Sequence, residues 1–208
     1  IYEGWYKKNS HKSDEGRFQK VMNLPFDKSD NKNRVKRIND FWESRKSKLE
    51  KTVLDCGSGL GVFGAEMLNY NWNITLLDPD PLSIPIKYNG KTIRGHVGKL
   101  PYKNNIGKYM LITLNKVLEH IYEILDCLEN MHNHLHDEGY IYLELPDGES
   151  ALKKGPERQE FYLEHYYTFS EESIKKLTEK CHFDIVDINR IIEPSGKFTI
   201  YAFLKKSS

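Results

Sequence analysis

Cysteine and long apolar segments are scarce in this chain of 208 residues. Cys56, Cys127 and Cys181 are odd in number, widely spaced and form no CxxC pair, so neither a disulfide framework nor a zinc site is predicted. No apolar run approaches the ~20 residues of a membrane-spanning helix, and the N-terminal segment lacks the apolar centre of a secretory signal. These absences predict a soluble protein of the reducing cytoplasm.

An excess of charge of one sign is also absent. The 31 basic residues nearly balance the 30 acidic ones, for a formal net charge of +1. The clear basic excess expected of a nucleic-acid-binding protein is therefore missing. Basic residues do cluster before residue 50, where we predict a solvated helix face. This basic run consists of Lys32, Arg34, Lys36, Arg37, Arg45, Lys46 and Lys48.

Strand and helix patterns alternate from residue 52 onwards. Strand patterns occur at 52–56, 73–78, 91–97, 109–115 and 139–145. One helix is predicted after the first strand and another from Ile121 to Leu135, ended by Gly139. The prolines after residue 78 leave room for at most a short helix, and a hairpin is predicted around Pro194-Ser195-Gly196. The alternation predicts an α/β fold, Rossmann-like and doubly wound. Its mainly parallel seven-stranded sheet would end in a C-terminal antiparallel hairpin strand.

Ligands in such sheets bind beyond the carboxyl ends of the central strands. Those ends follow Cys56, Leu77 and Leu114, and the first leads into a turn rich in glycine. Glycines at this place let the backbone turn tightly and approach a ligand closely, and the next helix begins with unpaired N–H groups. The glycine turn is therefore the first candidate binding site.

The glycine turn satisfies two different patterns. Gly59, Gly61 and Gly64 form G-x-G-x-x-G, and Asp78 follows after roughly 20 residues, as in the dinucleotide fingerprint of nicotinamide enzymes. The same segment also reads D-x-G-x-G-x-G from Asp55. From these residues alone, both interpretations stay open.

The chain from Lys51 to Lys205 resembles the class I SAM-dependent methyltransferases, which use S-adenosylmethionine (SAM). VLDCGSGLG is similar to their first motif and LLDPDP to their second, and NKVLEHI resembles a segment of members that act on small molecules. The resemblance implies a methyltransferase domain over 51–208 and an N-terminal extension or lid, containing a helix, over 1–50. It favours methyl transfer to an oxygen of a sugar or nucleotide sugar. The alternatives are a non-catalytic SAM-binding protein and an NAD-dependent oxidoreductase.

The resemblance also implies which residues bind the cofactor, SAM. Gly57 and Gly59 would let the backbone meet its methionine portion, and Asp55 would orient that end. Asp78, at the end of the second strand, would accept hydrogen bonds from both ribose hydroxyls, because a carboxylate offers two acceptor oxygens.

Two further residues are candidates for binding the cofactor. One departs from the pattern of the family, and the other is predicted from its place at the end of a strand alone. Relatives often carry an Asp in a GDxxxLP segment, where it accepts from the adenine amino group. His96 stands at that position here, and a neutral imidazole nitrogen can accept the same bond. Asn115 ends the fourth strand, beside the expected position of the transferred methyl group.

Histidines are the candidate bases for an oxygen acceptor. His120 follows the fourth strand directly, and His165 lies in an aromatic segment where an acceptor loop is expected. In ubiquinone-type O-methyltransferases the related segment reads E-x-x-E-H and can hold a divalent metal. Lys116 stands at the first of these positions here, with Glu119 and His120 retained, and a lysine removes one oxygen ligand. No metal is therefore expected.

Two further interpretations concern a group of three histidines and the N-terminal segment. The spacing of His132, His134 and His136 scatters them around a helix, so we interpret them as surface histidines. Trp5, Tyr6, Arg17 and Phe18 lie among polar residues in the N-terminal segment, and we predict that this segment closes over SAM as a lid.

Overall fold

The computed structural model describes residues 10–46, 49–80 and 84–207, with side chains from residue 15 onwards. Within these ranges it contains nine strands. They are β1 (Thr52–Cys56), β2 (Asn73–Asp78), β3 (Ile86–Tyr88), β4 (Lys91–Ile93), β5 (Gly95–Val97), β6 (Tyr109–Asn115), β7 (Leu135–Pro146), β8 (Phe183–Ile192) and β9 (Phe198–Lys206). No helix among the described residues is both long and apolar enough to cross a membrane.

Seven of these strands form one sheet in the order β5-β2-β1-β6-β7-β9-β8. The first five in this order are parallel, and β9 and β8 close the sheet as an antiparallel hairpin. This arrangement confirms the predicted Rossmann-like fold. The pairing of Cys56 with both Leu77 and Leu114 brings the carboxyl ends of β1, β2 and β6 together.

Helices cover both faces of the sheet. They are α1 (Ser10–Met22), α2 (Asp30–Ser44), α3 (Val62–Met67), α4 (Ile124–His134), α5 (Gly148–Leu152) and α6 (Glu171–Lys180). The hydroxyl of Ser29 accepts from the N–H of Lys32 at the start of α2, and Ser170 forms a capping box with Ser173 at the start of α6. Each cap satisfies N–H groups that a helix start leaves unpaired.

Two apolar cores lie on opposite faces of the sheet, because alternate residues of a strand point to opposite sides. One core contains Leu54, Ile112 and Leu143, covered by α4 and α6. The other contains Val53 and Leu111, covered by α1, α2 and α3. Helix α2 adds Val35, Ile38 and Trp42 to this second core, each at most 3% exposed.

Two predicted elements have different bounds in the structure. Strand β3 forms where at most a short helix was expected, and the strand predicted at 91–97 is divided into β4, which pairs with β3, and β5, which pairs with β2. Helix α4 ends at His134, and β7 begins at Leu135 rather than after Gly139. A Cβ on Gly139 would lie 3.0 Å from the carbonyl oxygen of Met110. This glycine therefore serves a close approach between β7 and β6 and does not end a helix.

The basic run is not wholly a solvated face, so that prediction was wrong for two of its members. Arg34 donates through Nε to Glu144 Oε2 over 2.8 Å, and its Nη2 pairs with Oε1. Arg37 donates to the Tyr142 hydroxyl over 2.5 Å and to Glu144 Oε2 over 3.3 Å. Since Glu144 is fully buried, charges from α2 neutralise a carboxylate inside the fold. A helical pattern alone does not show that partner, which lies 110 residues away.

The histidines of α4 are not all on the surface either. His134 is 3% exposed, and its Nε2 lies 2.9 Å from the carbonyl oxygen of Tyr102. His132 stacks on Phe183, and its Nε2 lies 2.9 Å from the carbonyl oxygen of Cys181. Both rings fill gaps between elements that are distant in sequence, so the surface interpretation was wrong for them.

Candidate functional site

The glycine turn connects β1 to α3 with three residues at positive φ. Gly57, Gly59 and Gly61 have φ values of 71°, 50° and 71°, which favour glycine. A Cβ on Gly57 would lie 2.5 Å from Val117 Cγ2, and one on Gly61 would lie 1.6 Å from Ile86 Cδ1. No heavy atom lies within 4 Å of a Cβ on Gly59. The turn is thus packed on both sides and faces open space at Gly59.

Asp78 fastens this turn to the end of β2. Its Oδ2 accepts from the N–H of Gly59 over 2.7 Å, and its Oδ1 accepts from the N–H of Asp80 over 2.9 Å. Each carboxylate oxygen has two lone pairs, so both oxygens keep acceptor capacity. Asp78 therefore holds the backbone that surrounds the open space and borders that space itself.

Asp55 lies at the end of β1 and is 1% exposed. Its Oδ1 accepts from Thr113 Oγ1 over 2.9 Å and from Asn115 Nδ2 over 3.1 Å. Burial raises the pKa of this carboxyl to about 7, against the lowering effect of these hydrogen bonds and of the Arg34 charge. Thr113 and Asn115 thus orient Asp55 from the neighbouring strand β6.

Three buried polar atoms in this region have no hydrogen-bond partner: Asp55 Oδ2, Ser58 Oγ and Asn115 Oδ1. Buried polar groups in native proteins are nearly always paired, so an unpaired cluster indicates a ligand or ordered water. Sequence reasoning missed Ser58, although it stands between the two glycines that were singled out. The structure also shows that Asn115 and Asp55 act as a connected pair.

His96 lies on β5, in register with Leu77 of β2. Its ring is half-buried, and its centroid is 6.1 Å from that of Tyr102. The N–H of Gly98 donates to the carbonyl oxygen of Asp78 over 2.9 Å. The segment that follows His96 is thereby held beside the end of β2.

His120 and His165 come together although 45 residues separate them. Their ring centroids are 4.8 Å apart, in an edge-to-face arrangement. His120 Nδ1 lies 3.1 Å from the carbonyl oxygen of Glu164, and His165 Nδ1 lies 3.0 Å from that of Glu160. Burial lowers the pKa of His120, which the contact with Glu164 partly opposes. The two candidate bases thus form one pair of imidazoles.

Glu119 joins this pair from the buried side. It is 1% exposed, and its Oε2 has no hydrogen-bond partner. Burial raises the pKa of its carboxyl to about 7, against the lowering effect of the Lys116 charge. Ligand atoms of Glu119, His120 and His165 all lie within 4.8 Å of one another. The sequence placed Glu119 in one segment with Lys116 and His120, but it did not predict that His165 lies beside them.

Lys116 is partly buried, and its side chain contacts the C-terminal strand β9. Its φ is 58°, and its Nζ donates to Thr199 Oγ1 over 2.6 Å. Burial lowers the pKa of this amine, which the charges of Glu144 and Glu119 oppose. Lys116 therefore belongs with Glu144 in the buried charge network and not with a set of metal ligands.

Exposed aromatic side chains surround the two histidines. Tyr122, Tyr162 and Tyr166 are 73%, 58% and 59% exposed, and the rings of Tyr122 and Tyr166 meet at 5.6 Å. The N–H of Tyr166 donates to the carbonyl oxygen of Glu119 over 2.9 Å. This bond ties the aromatic segment to the segment that carries His120.

Solved structures of methyltransferases share the fold of this chain. The 1,6-didemethyltoxoflavin-N1-methyltransferase of Burkholderia thailandensis, with bound 1,6-didemethyltoxoflavin and S-adenosylhomocysteine (SAH), is 16% identical. Its TM-score is 0.66, over 95% of this chain and 87% of that chain. The magnesium protoporphyrin IX methyltransferase of Synechocystis PCC 6803, with bound SAH, is 14% identical. Its TM-score is also 0.66, over 94% and 95% of the two chains.

A SAM-dependent methyltransferase from Clostridium acetobutylicum is 14% identical, with a TM-score of 0.64 over 95% of this chain and 99% of that chain. At such identities the likeness establishes the fold. No curated protein sequence matches this chain significantly. A family model described as "Methyltransferase domain" matches residues 28–188, well over half of the chain. The chain therefore belongs to the methyltransferase domain family, and its sequence-based assignment to the SAM-dependent methyltransferases is confirmed.

Proposed function

We propose that this chain transfers the methyl group of SAM to an oxygen of a small-molecule acceptor, with a sugar or nucleotide sugar preferred. One observation carries the position of the SAM site. Asp55, Ser58 and Asn115 each bury an unpaired polar atom, close to the open space at Gly59. A ligand with amine, carboxylate and hydroxyl groups can satisfy such atoms, and SAM has all three.

Each predicted contact has a role in this proposal. Asp55 and Asn115 would hold the methionine end, with the open side of Gly59 giving room for it. Asp78 would accept from the ribose hydroxyls while it keeps the Gly59 N–H fixed, and His96 would accept from adenine. Gly57, whose backbone packs against Val117, would support the glycine turn. When bound, SAM supplies a methyl group on a positively charged sulfur, which a nucleophile attacks.

Proton removal from the acceptor hydroxyl falls to the imidazole pair. In the tautomer that donates Nδ1–H to a backbone carbonyl, the lone pair is on Nε2. His120 and His165 both place Nδ1 against such a carbonyl. The lowered pKa of His120 keeps this ring neutral near pH 7, as a general base requires. We propose His120 as the base and His165 as the group beside it.

The preference for a sugar rests on the exposed tyrosines beside the histidines. Tyr122, Tyr162 and Tyr166 present apolar ring faces with polar hydroxyls, a combination that suits a ligand with both C–H and O–H groups. Since the Burkholderia enzyme is an N1-methyltransferase, amines are the competing acceptors. Turnover in a screen of sugars, nucleotide sugars, quinones and amines tests this choice, and turnover confined to amines or quinones would reject it.

Calorimetric titration with SAH tests the SAM site, with NAD titrated in parallel. The informative variant is Ser58→Ala, because the free protein leaves Ser58 Oγ buried and unpaired. Its removal should not lower the Tm, yet it should weaken SAH binding by about tenfold if a hydrogen bond of about 1.4 kcal/mol is lost. Ser44→Ala, an exposed hydroxyl outside the site, is the control. Unchanged SAH affinity in Ser58→Ala would contradict this site.

The lid and the cellular location stay predictions. Trp5 and Tyr6 lie outside the described residues, whereas Phe18 is 5% exposed and packs edge-on against Tyr88 at 5.9 Å. Deletion of residues 1–9 therefore tests a lid while Phe18 stays in place, and unchanged SAH binding and turnover would reject it. Fractionation of the producing cells tests the cytoplasmic location expected from the unpaired cysteines.

A further inference from the structure

We propose that Glu119, His120 and His165 form a binding site for a divalent transition metal of the zinc type. The first observation is their convergence, because one ligand atom from each lies within 4.8 Å of the other two. Two imidazoles and one carboxylate are a ligand set that such metals favour. Metal–ligand distances of about 2.0–2.2 Å require the donor atoms to lie roughly 3.3 Å apart. The ligand atoms must therefore approach one another by up to about 1.5 Å when a metal binds.

The second observation concerns what holds the two imidazoles. Each histidine places Nδ1 within 3.1 Å of a backbone carbonyl oxygen, that of Glu164 for His120 and that of Glu160 for His165. A histidine that binds a metal usually donates its other ring N–H in this way, which fixes the tautomer and the direction of the ring. The lone pair of each ring is then on Nε2, as metal binding requires.

The third observation is the buried carboxylate. Glu119 Oε2 has no hydrogen-bond partner, and its residue is 1% exposed. Burial of an ionised carboxylate is costly unless a cation or hydrogen bonds compensate. The charge of Lys116 acts on Glu119, but its Nζ donates to Thr199 Oγ1 over 2.6 Å and forms no hydrogen bond with Oε2. A metal ion would supply the missing partner of Oε2.

The backbone holds these three residues in one place. The N–H of Tyr166 donates to the carbonyl oxygen of Glu119 over 2.9 Å, which joins the two segments that carry the ligands. Glu160 is fixed in turn by Arg158 over 2.7 Å and by the N–H of Phe198 over 2.8 Å. A site formed by preorganised segments binds metal without a large ordering cost.

Three protein ligands leave a coordination position open, as in catalytic zinc sites. Since the site lies beside the proposed acceptor region, an acceptor oxygen could occupy that position, where the metal would lower the pKa of its hydroxyl. This role rests on the proposed function, whereas metal binding itself does not. If this role holds, the metal takes over the proton-removing role proposed above for His120, because the Nε2 lone pair of His120 binds the metal and cannot also accept a proton.

The test is metal titration of chelator-treated protein, with Zn²⁺ in competition with a chromophoric chelator and with Co²⁺ followed by its visible absorption. We expect one ion per chain, and at least tenfold weaker binding in both Glu119→Gln and His165→Ala. The control is His182→Asn, an exposed histidine at positive φ, where asparagine is tolerated. If Glu119→Gln does not fold, His165→Ala decides the question.

Two results would overturn the metal site. One is the absence of stoichiometric Zn²⁺ uptake by the wild-type chain, and the other is uptake that both folded variants retain. SAH titration of the same samples separates this proposal from the proposed function. Zn²⁺ uptake that depends on Glu119 and His165 supports the metal site, whether or not SAH binds. A failure of SAH to bind the same samples would reject only the SAM site.

Discussion

The two sides of the candidate site are constructed in different ways. On the glycine-turn side (residues 55–61 and 78), the turn is held through its own backbone N–H groups, as when the N–H of Gly59 donates to Asp78, 19 residues away. On the histidine side (residues 116–121 and 159–167, with Glu144), side chains contact partners that are far away in sequence. His120 reaches Glu164 over 44 residues, and Arg34 reaches Glu144 over 110.

This difference indicates which side of the candidate site tolerates amino-acid substitution. Backbone hydrogen bonds and glycine conformations depend on a short local pattern, so the glycine-turn side has few permitted residues. On the histidine side, two side chains in contact can be substituted together. Such paired changes would allow related chains of the same fold to act on different acceptors.

The largest effect is expected for Arg34→Met. The variant would leave Glu144 fully buried with Arg37 and Tyr142 as its remaining close partners, and loss of one partner of a buried ion pair costs about 3–5 kcal/mol. Chemical denaturation should show this decrease in the free energy of unfolding. Lys36→Met, whose ion pair with Asp40 is exposed, should change little. Equal effects of both variants would mean that the buried network does not stabilise α2 on the sheet.

A smaller loss is expected for Gly95→Ala, which perturbs the backbone beside the glycine-turn side. The added Cβ would lie 2.0 Å from the carbonyl oxygen of Leu76, so β5 must move away from β2. Overpacking of this kind typically costs about 1–3 kcal/mol. The control is Gly16→Ala, in a helix where no atom lies within 4 Å of the new Cβ. That change should raise the Tm, and a loss in both would contradict a local clash.

The third prediction concerns Glu193, which is 3% exposed and whose carboxyl oxygens have no hydrogen-bond partner. Burial and the Glu144 charge raise its pKa to about 7. The folded state therefore binds this proton more tightly than the unfolded state does. The stability that this proton contributes is complete below about pH 4.5 and is lost as the pH rises through about 7.

The variant Glu193→Gln removes this titration. Its free energy of unfolding should depend less on pH between 5 and 8, and above pH 7 it should exceed that of the wild type by roughly 1–2 kcal/mol. Denaturation curves at several pH values measure this. The surface variant Glu172→Gln, whose ion pair with Lys176 is exposed, is the control. An unchanged pH slope in Glu193→Gln would contradict the raised pKa.

The smallest effect is expected where α2 meets the β8–β9 turn. Asp30 accepts from the N–H of Ser195 over 2.9 Å and from its hydroxyl over 2.6 Å. Asp30→Ala should lower the free energy of unfolding by about 1 kcal/mol, and Ser195→Ala, which keeps the backbone bond, by less. Both single variants and the double variant form a cycle, and full additivity would mean that the two side chains do not interact.

Much of the fold followed from sequence patterns. The strands that became β1, β2 and β6 are short apolar runs between turns, and serines of the type that favours helix starts, Ser29 and Ser170, cap α2 and α6. These features depend on neighbours in sequence, which is why local patterns predict them. Strand β3 escaped prediction because prolines obscured its pattern, and the start of β7 at Leu135 is set by pairing with Tyr109.

The candidate site divides in the same way. Motifs identified Asp55, Gly59 and Asp78, because short runs of consecutive residues form the recognisable patterns of the glycine turn and of the strand ends. Ser58 was overlooked within that same turn, since its importance lies in an unpaired buried hydroxyl. A hydroxyl's burial cannot be read from its neighbours in sequence.

The sequence by itself therefore determined the alternation of elements, the glycine turn and the methyltransferase family. Only the tertiary structure decided that Arg34 neutralises Glu144 and that His165 lies beside Glu119 and His120. The physical reason is the separation in sequence over which each kind of interaction acts. Backbone conformation and hydrophobic period act over a few residues, whereas the charge and coordination partners of a buried group are chosen by whichever segments the folded sheet brings together.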